Sequence, residues 1–387
     1  MFASEFFHRA GYASDMALQL LKPSALFSNV RSGVFLAGVR RIGKTTFLRQ
    51  DLIPALEGMG ALVIYVDLWA DSSKNPASLI EDALHTTLSQ LRSPGSKLLE
   101  RFKGLSLGAA GFSFGFQVDA IGKVNGASLA QVFTELVDKV QTSVVLIVDE
   151  VQQALGTEEG SNTLYALKAA RDAVNTRPET PGHFLFVGTG SHKSLVHEMA
   201  TRRSAPFAGA VSTAYEPLGR DFIEWKYGHL EAIPGIRLPS EPLMWEGFLT
   251  LGQRPEELHA ALAQLQVRHE DPDLAFPIIC ATLASAAAEV EFSLLENFGG
   301  LAQAIFDRIA EGGAGGESGL FSAEAVSRYA QQTETVVDTA QVQNMLDRMI
   351  AASLIHRQSH GVYAISDPFV REVWRRRKSL VLNKPGV

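Results

Sequence analysis

The sequence predicts an α/β fold: a three-layer core on a mostly parallel sheet, then a helical region and a C-terminal segment of two helices and a hairpin. Three observations predict it. Short β-rich runs at Gly33–Ala37, Ala61–Asp67, Ser143–Asp149 and His183–Gly188 alternate with helical patterns at Thr45–Glu57, Pro76–Leu91, Leu129–Val140 and Thr163–Asn175. Strands alternating with helices require right-handed crossovers, which cover a parallel sheet on both faces. After about Phe222 strand signals stop, and beyond the Gly-rich stretch Glu311–Gly319 only one short alternating pair returns, around His360-Gly361.

Each element has its own reason. Ser143–Asp149 is apolar at every position from Val144 to Val148, as a central parallel strand should be. Between Leu105 and Lys123, Phe112, Phe114, Phe116 and Val118 alternate strictly, which predicts a β-hairpin inserted at about 105–123. Ser322–Gln331 and Asp338–Ala351 read as amphipathic helices, the second with Val342, Leu346, Met349 and Ile350 on one face. Leu354–Arg357, a Ser-His-Gly turn and Val362–Ile365 then form a two-stranded wing. Helix, helix and hairpin in this order make a winged helix.

Composition narrows the class. At 387 residues the chain exceeds one small core, and roughly 150 residues per domain allows two or three. Apolar residues are 46% and charged ones 20%, enough buried surface to exclude disorder throughout. Lys+Arg total 35 against Asp+Glu 42, a net charge of −7, so a basic coat for nucleic acid is excluded. A single cysteine, Cys280, forms neither an internal disulfide nor a thiolate zinc site. The start MFASEFFHRAG lacks the apolar run of a secretory signal. The longest apolar candidate, Ala275–Val290, is interrupted by Pro277, Thr282, Ser285 and Glu289 and reads as a buried helix. A cytoplasmic protein with no membrane partner is expected.

The chemistry begins at Gly38-Val39-Arg40-Arg41-Ile42-Gly43-Lys44-Thr45, which fits G-x-x-x-x-G-K-[ST] between a strand and a helix. Glycines let the backbone wrap phosphates, and loop N–H groups converge at a helix N-terminus where the dipole favours an anion. Lys44 would neutralise β/γ-phosphate oxygens, Thr45 would ligate Mg²⁺, and Thr46 continues the binding turn. The core is therefore expected to be a P-loop NTPase, with ATP and Mg²⁺ as cofactors. The second element is Val144–Val148 followed by Asp149 and Glu150, a Walker B pattern. Asp149 would hold the metal through water, and Glu150 would activate the attacking water. The third is Gly188-Thr189-Gly190-Ser191, where Thr189 and Ser191 either contact the γ-phosphate or lytic water, or cap a helix starting near His192.

With these residues in place, the sequence resembles the AAA+/STAND branch of P-loop ATPases, and within it the archaeal-type ATPase group. GVRRIGKT, the Gly/Phe segment, the VDE ending and GTGS occur in that group's order, as does Leu251-Gly252-Gln253-Arg254-Pro255-Glu256-Glu257-Leu258. The resemblance implies that the last motif opens a lid, with Pro255 near the adenine and Arg254 approaching the phosphates as a sensor. It also implies the C-terminal winged helix. Many relatives carry a Gly-Arg pair after the sensor strand; here Ala205–Ala210 lacks it and the arginines are Arg202 and Arg203. A clear arginine finger, and with it support for oligomerisation, is missing.

Rivals fit less well. The only Asn-Lys, Asn383-Lys384-Pro385-Gly386, lacks the Asp of a guanine-selecting motif, and no Leu-Ser-Gly-Gly occurs. His192 and His197 stand five apart, off one helix face. The reading is an ATPase core over 1–225, a helical lid over 226–310 and a winged helix over 311–387. A protein partner is expected. The alternative is duplex DNA, held through Asp338–Ala351 and the basic tail Arg371, Arg375, Arg376, Arg377 and Lys378. The helix carries Asp338 and Asp347 against Arg348 alone, which favours the protein.

Overall fold

Five parallel strands carry the N-terminal half, in the order β2-β3-β4-β1-β5. In a computed structural model of the chain, residues 6–71, 73–102, 112–117, 121, 126–191, 196, 199–200, 205–359 and 361–382 are described. The strands are β1 (Val34–Ala37), β2 (Leu62–Asp67), β3 (Val144–Asp149), β4 (Phe184–Gly190) and β5 (Val211–Ala214). All four pairings are parallel. The short β5, with Ser212 and Thr213 among its four residues, lacks an apolar pattern and was not anticipated.

Contacts divide the chain into two units. One comprises His8–Gly38 and Lys44–Tyr215; the other comprises Met1–Phe7, Val39–Gly43 and Glu216–Val387. In the first, β3 is buried at every position and β2 alternates, with Val63, Tyr65 and Asp67 on the half-buried face. Helices Pro76–Arg92, Leu129–Val140 and Glu158–Asn175 pack on the sheet through Leu84, Leu88, Phe133, Val137, Leu164 and Leu167. Caps set their starts: Asn75 accepts from the Ala77 N–H, and Ser128 forms a reciprocal box with Gln131.

The helix expected over Thr45–Glu57 is not continuous. It runs Lys44–Phe47, widens into a π turn at Leu48–Leu52, and resumes at Ile53–Gly58. Pro54 has no N–H to return to the preceding turn, which favours the widened ladder. Asp51 in that turn is buried and accepts from the Arg9 N–H and from His8. Most of the hairpin expected at 105–123 lies outside the described residues; the described stretch Phe112–Gln117 is not strand, although Phe112 is buried.

The second unit is helical. One apolar cluster runs from Leu218 through Phe248, Phe276, Phe292, Phe306 and Leu346 to Trp374. The helix Pro272–Phe298 is long and apolar enough, by length and composition, to cross a membrane. Here Phe276, Ile279, Ala284, Ala288 and Phe292 face the cluster, whereas Leu274, Ile278 and Val290 are exposed, so it is half-buried rather than wholly buried. Helices Ala323–Thr333 and Thr339–Ala351 follow, capped by Ser322 and Asp338. Antiparallel β6 (Ile355–Ser359) and β7 (Val362–Ile365) and the helix Pro368–Leu382 complete the unit. This is the helix–helix–hairpin order read from the sequence.

Candidate functional site

In open parallel sheets ligands bind beyond the carboxyl ends of the strands, where the strand order changes direction. Here β1 lies between β4 and β5, and β3 lies beside β4. Register sets Ala37 against Gly190, Val148 against Gly188 and Asp67 against Asp149. The P-loop, the Asp149-Glu150 pair and the end of β4 therefore share one end of the sheet. The P-loop turns through two positive φ angles, 66° at Arg41 and 90° at Gly43, and buries Ile42. Lys44 is 6% exposed and its ammonium donates to the Gly38 carbonyl at 2.6 Å. Thr46 is exposed at the start of the helix.

Asp149 is 1% exposed, and a buried carboxylate needs several donors. It has three hydroxyls. Thr45 Oγ1 donates to Oδ2 at 2.7 Å, Tyr65 Oη donates to Oδ2 at 3.1 Å, and Thr189 Oγ1 donates to Oδ1. The Thr45 hydroxyl and Asp149 carboxylate, both hard oxygen donors at hydrogen-bond separation, are a set that fits Mg²⁺. Glu150 adopts left-handed backbone angles, φ 54° and ψ 43°, and starts the 3₁₀ turn Val151–Gly156. Ser191 donates to its Oε2 at 3.0 Å. Thr189 and Ser191, two apart and leaving β4 on one side, thus hold Asp149 and Glu150. The glycine before them fits a tight space: a Cβ at Gly188 would lie 2.7 Å from the Phe35 ring.

Four residues of this site were not anticipated. Tyr65 reaches Asp149 because β2 and β3 are in register; the half-buried face shared by Tyr65 and Asp67 at the strand end was the available signal. Burial, reinforced by the Asp149 charge, holds the Tyr65 hydroxyl protonated far above its ordinary range, so it stays a donor. Arg49 lies 4.8 Å from the Tyr65 ring centroid, and its interaction with the Tyr65 hydroxyl raises the guanidinium above its ordinary value. Burial also raises the Asp67 carboxyl, partly offset by the Trp69 N–H at 2.8 Å. The fourth residue, Gln152, donates to Glu150 Oε2 at 2.5 Å.

Residues 18–216, just over half of the chain, match the model of an ATPase domain found predominantly in Archaea. The chain belongs to that family. This archaeal-type ATPase is also similar in fold to a Walker-type ATPase of Pyrococcus abyssi, with 18% identity, TM-score 0.58, and coverage of 97% of this chain and 96% of that one. The ORC2 protein of Aeropyrum pernix, in ADPNP–ADP complexes, is similar at 16% identity and TM-score 0.50, with 99% and 98% covered. No curated relative matches.

In the ATPase's second unit, Arg254 and Pro255 stand at the start of a helix. Gly252 and Gln253 both have positive φ, and a Cβ at Gly252 would lie 2.8 Å from Phe369. Pro255 begins the helix Pro255–Gln266. Arg254 is 6% exposed, pairs with Asp367 Oδ2 at 2.5 Å and stacks 4.1 Å from the Phe369 centroid. Asp367 also accepts from the Phe369 N–H at 2.9 Å. The motif is a packed junction with the start of the last helix. Val39–Gly43 group with this unit, where exposed Arg41 pairs with Glu257 at 2.9 Å and Arg40 is exposed. Arg202, Arg203, His192 and His197 lie outside the described residues.

The basic tail is paired within the unit. Lys378 meets Asp307 at 2.5 Å, Arg377 approaches Glu289 and Glu296 at 3.9 Å each, and Arg371 and Arg375 meet Glu372 at 2.8 and 3.8 Å. Arg376 donates to Thr250 at 3.5 Å. On the helix Thr339–Ala351, Arg348 stacks 4.7 Å from the Phe298 centroid.

Proposed function

We propose that this ATPase is a Mg²⁺-dependent AAA+/STAND-like switch that passes its nucleotide state to a protein partner in regulation, stress or defence. The observation that carries the reading is the hydroxyl-held Asp149–Glu150 pair at the sheet end that also bears Lys44 and Thr45. Gly38–Thr46 would wrap the triphosphate, with Lys44 exchanging the Gly38 carbonyl for β/γ-phosphate oxygens. Thr45 and Asp149 would hold Mg²⁺, which neutralises phosphate charge. Glu150 would take the proton of the attacking water, with Thr189 and Ser191 fixing both carboxylates. The nucleotide complexes of the Aeropyrum pernix neighbour support the same use of the fold.

The reading treats 1–225 as core, 226–310 as lid and 311–387 as winged helix. The Arg254–Asp367 pair joins the lid motif to the last helix, which supports lid and winged helix responding as one. Hydrogen exchange over residues 216–382, with a slowly hydrolysed ATP analogue and with ADP, tests the switch. Protection is expected to differ between the two states; identical exchange would remove the switch while leaving the ATPase.

DNA binding through the winged helix is the second reading, favoured by the exposure of Arg375 and Arg377. Against it, four of the five tail cations already have acidic partners in the chain. A duplex titration at low salt separates the two. No binding is expected, and salt-dependent binding would favour DNA.

A further inference from the structure

We propose that Gln152 is a positioning residue for ATP hydrolysis, holding one oxygen of the Glu150 carboxylate so that the other serves as the base. The inference rests on the ATPase reading above and adds a residue to it.

The contacts are specific. The Gln152 amide nitrogen donates to Glu150 Oε2 at 2.5 Å and lies 3.4 Å from Ser191 Oγ, and Ser191 donates to the same Oε2 at 3.0 Å. Both donors take one oxygen, which leaves Oε1 to accept a proton. The amide's orientation follows from charge, because turning it would set its oxygen against the carboxylate. The left-handed turn at Glu150 makes the arrangement reachable, since it folds the chain back within two residues. A non-glycine residue in that region costs about 1 kcal/mol, which the surroundings must offset.

Two further observations separate positioning from filling. Gln152 is 5% exposed, and its Oε1 is buried with no hydrogen-bond partner. An unsatisfied buried acceptor costs about 1–3 kcal/mol, so an apolar side chain would suit a filler position better. The amide is worth retaining for its donor end. Gly190 supplies the space: a Cβ there would lie 2.2 Å from Gln152 Oε1 and 2.6 Å from Val196 Cγ2. The second glycine of Gly188-Thr189-Gly190-Ser191 thereby clears room for the amide, while the serine beside it supplies the other donor. The motif and Gln152 form one clamp on Glu150.

Steady-state turnover and binding of a fluorescent ATP analogue, measured for Gln152→Leu, Gln152→Glu and Ser191→Ala, test the clamp. Gln152→Leu is expected to lower kcat by about 10- to 100-fold, with KM and the analogue's Kd unchanged within about twofold. Gln152→Glu should lose at least as much, because two carboxylates then meet. In a Glu150→Gln background, single-turnover rates should not fall further on adding Gln152→Leu, since the clamp then has no base to aim. Unchanged kcat in Gln152→Leu, an equal loss in both backgrounds, or a loss that tracks Kd would each overturn the proposal. Retained analogue binding reports folding. Should Gln152→Leu fail to fold, Ser191→Ala decides: a several-fold fall in kcat supports the clamp, and wild-type kcat overturns it. Wild-type protein without turnover would instead sink the ATPase reading, and the clamp with it.

Discussion

The strand-end site of the first unit treats charge differently from the second unit, although ion pairs such as Arg177–Asp138 and Arg101–Glu57 hold the first unit's periphery as well. At the strand ends of the first, the buried Asp149 carboxylate is held by three hydroxyls and Glu150 by a hydroxyl and an amide. Neutral donors of this kind fix a carboxylate's position and leave its charge for a ligand to meet. In the second unit, cations meet carboxylates directly: Arg254 with Asp367, Lys378 with Asp307 and Arg377 with Glu289 and Glu296. The difference teaches which charges await a ligand and which hold the chain together. Sequence motifs do not distinguish them, since Lys44 and Arg254 both stand in motifs.

The sharpest way to break this comparison is Lys44→Ala. It should lower kcat/KM for ATP by about 1,000-fold, a far larger effect on turnover than on stability. Arg254→Ala should do the reverse. Stranding Asp367 should cost about 3 kcal/mol in a urea unfolding titration. Wild-type stability together with lost turnover would show that Arg254 serves phosphate rather than packing. Thr189→Val keeps shape but removes one donor from Asp149, and about 10- to 100-fold in turnover should go with it. A change in unfolding midpoint without a change in turnover would contradict that role.

Smaller effects belong to the second unit. Arg377→Ala should cost less than about 1 kcal/mol in a denaturant titration, since both partners of its pairs are about half exposed. Lys378→Ala should cost about 1 kcal/mol, since Asp307 is mostly buried but keeps the Trp374 N–H as a donor. A Glu291→Gln variant should be slightly more stable than wild type at neutral pH. Burial raises the Glu291 carboxyl, and its Oε2 is buried without a partner, so its ionised form is penalised by folding. That penalty is complete above the folded-state pKa and is relieved as pH falls through it. The gain should therefore fade on acidification, and a gain that grew instead would contradict the assignment.

Much of the fold was legible because its signals are local. The apolar run at β3, the alternation of strands and helices, and the capped helices at Ser128 and Asp338 each declare themselves within a dozen residues. The P-loop and Asp149-Glu150 were legible for the same reason. What escaped depends on distance along the chain. Tyr65 reaches Asp149 across 84 positions, and only the β2–β3 register brings them together. Arg254 and Asp367 are 113 apart, so their pairing could not be read from either end. The π turn and the four-residue β5 carry too little periodicity to show. Gln152 is the instructive miss. It stands two residues from Glu150, yet its role depends on the space left at Gly190, a property of packing.

The central claim is that Glu150 is the base of an ATP-hydrolysing site whose binding parts are separate from it. Parallel measurement of ATP-analogue Kd and steady-state turnover in Glu150→Gln tests it most directly. The account predicts a Kd within about twofold of wild type and turnover lower by at least about 100-fold. Turnover equal to wild type, with binding intact, would contradict it.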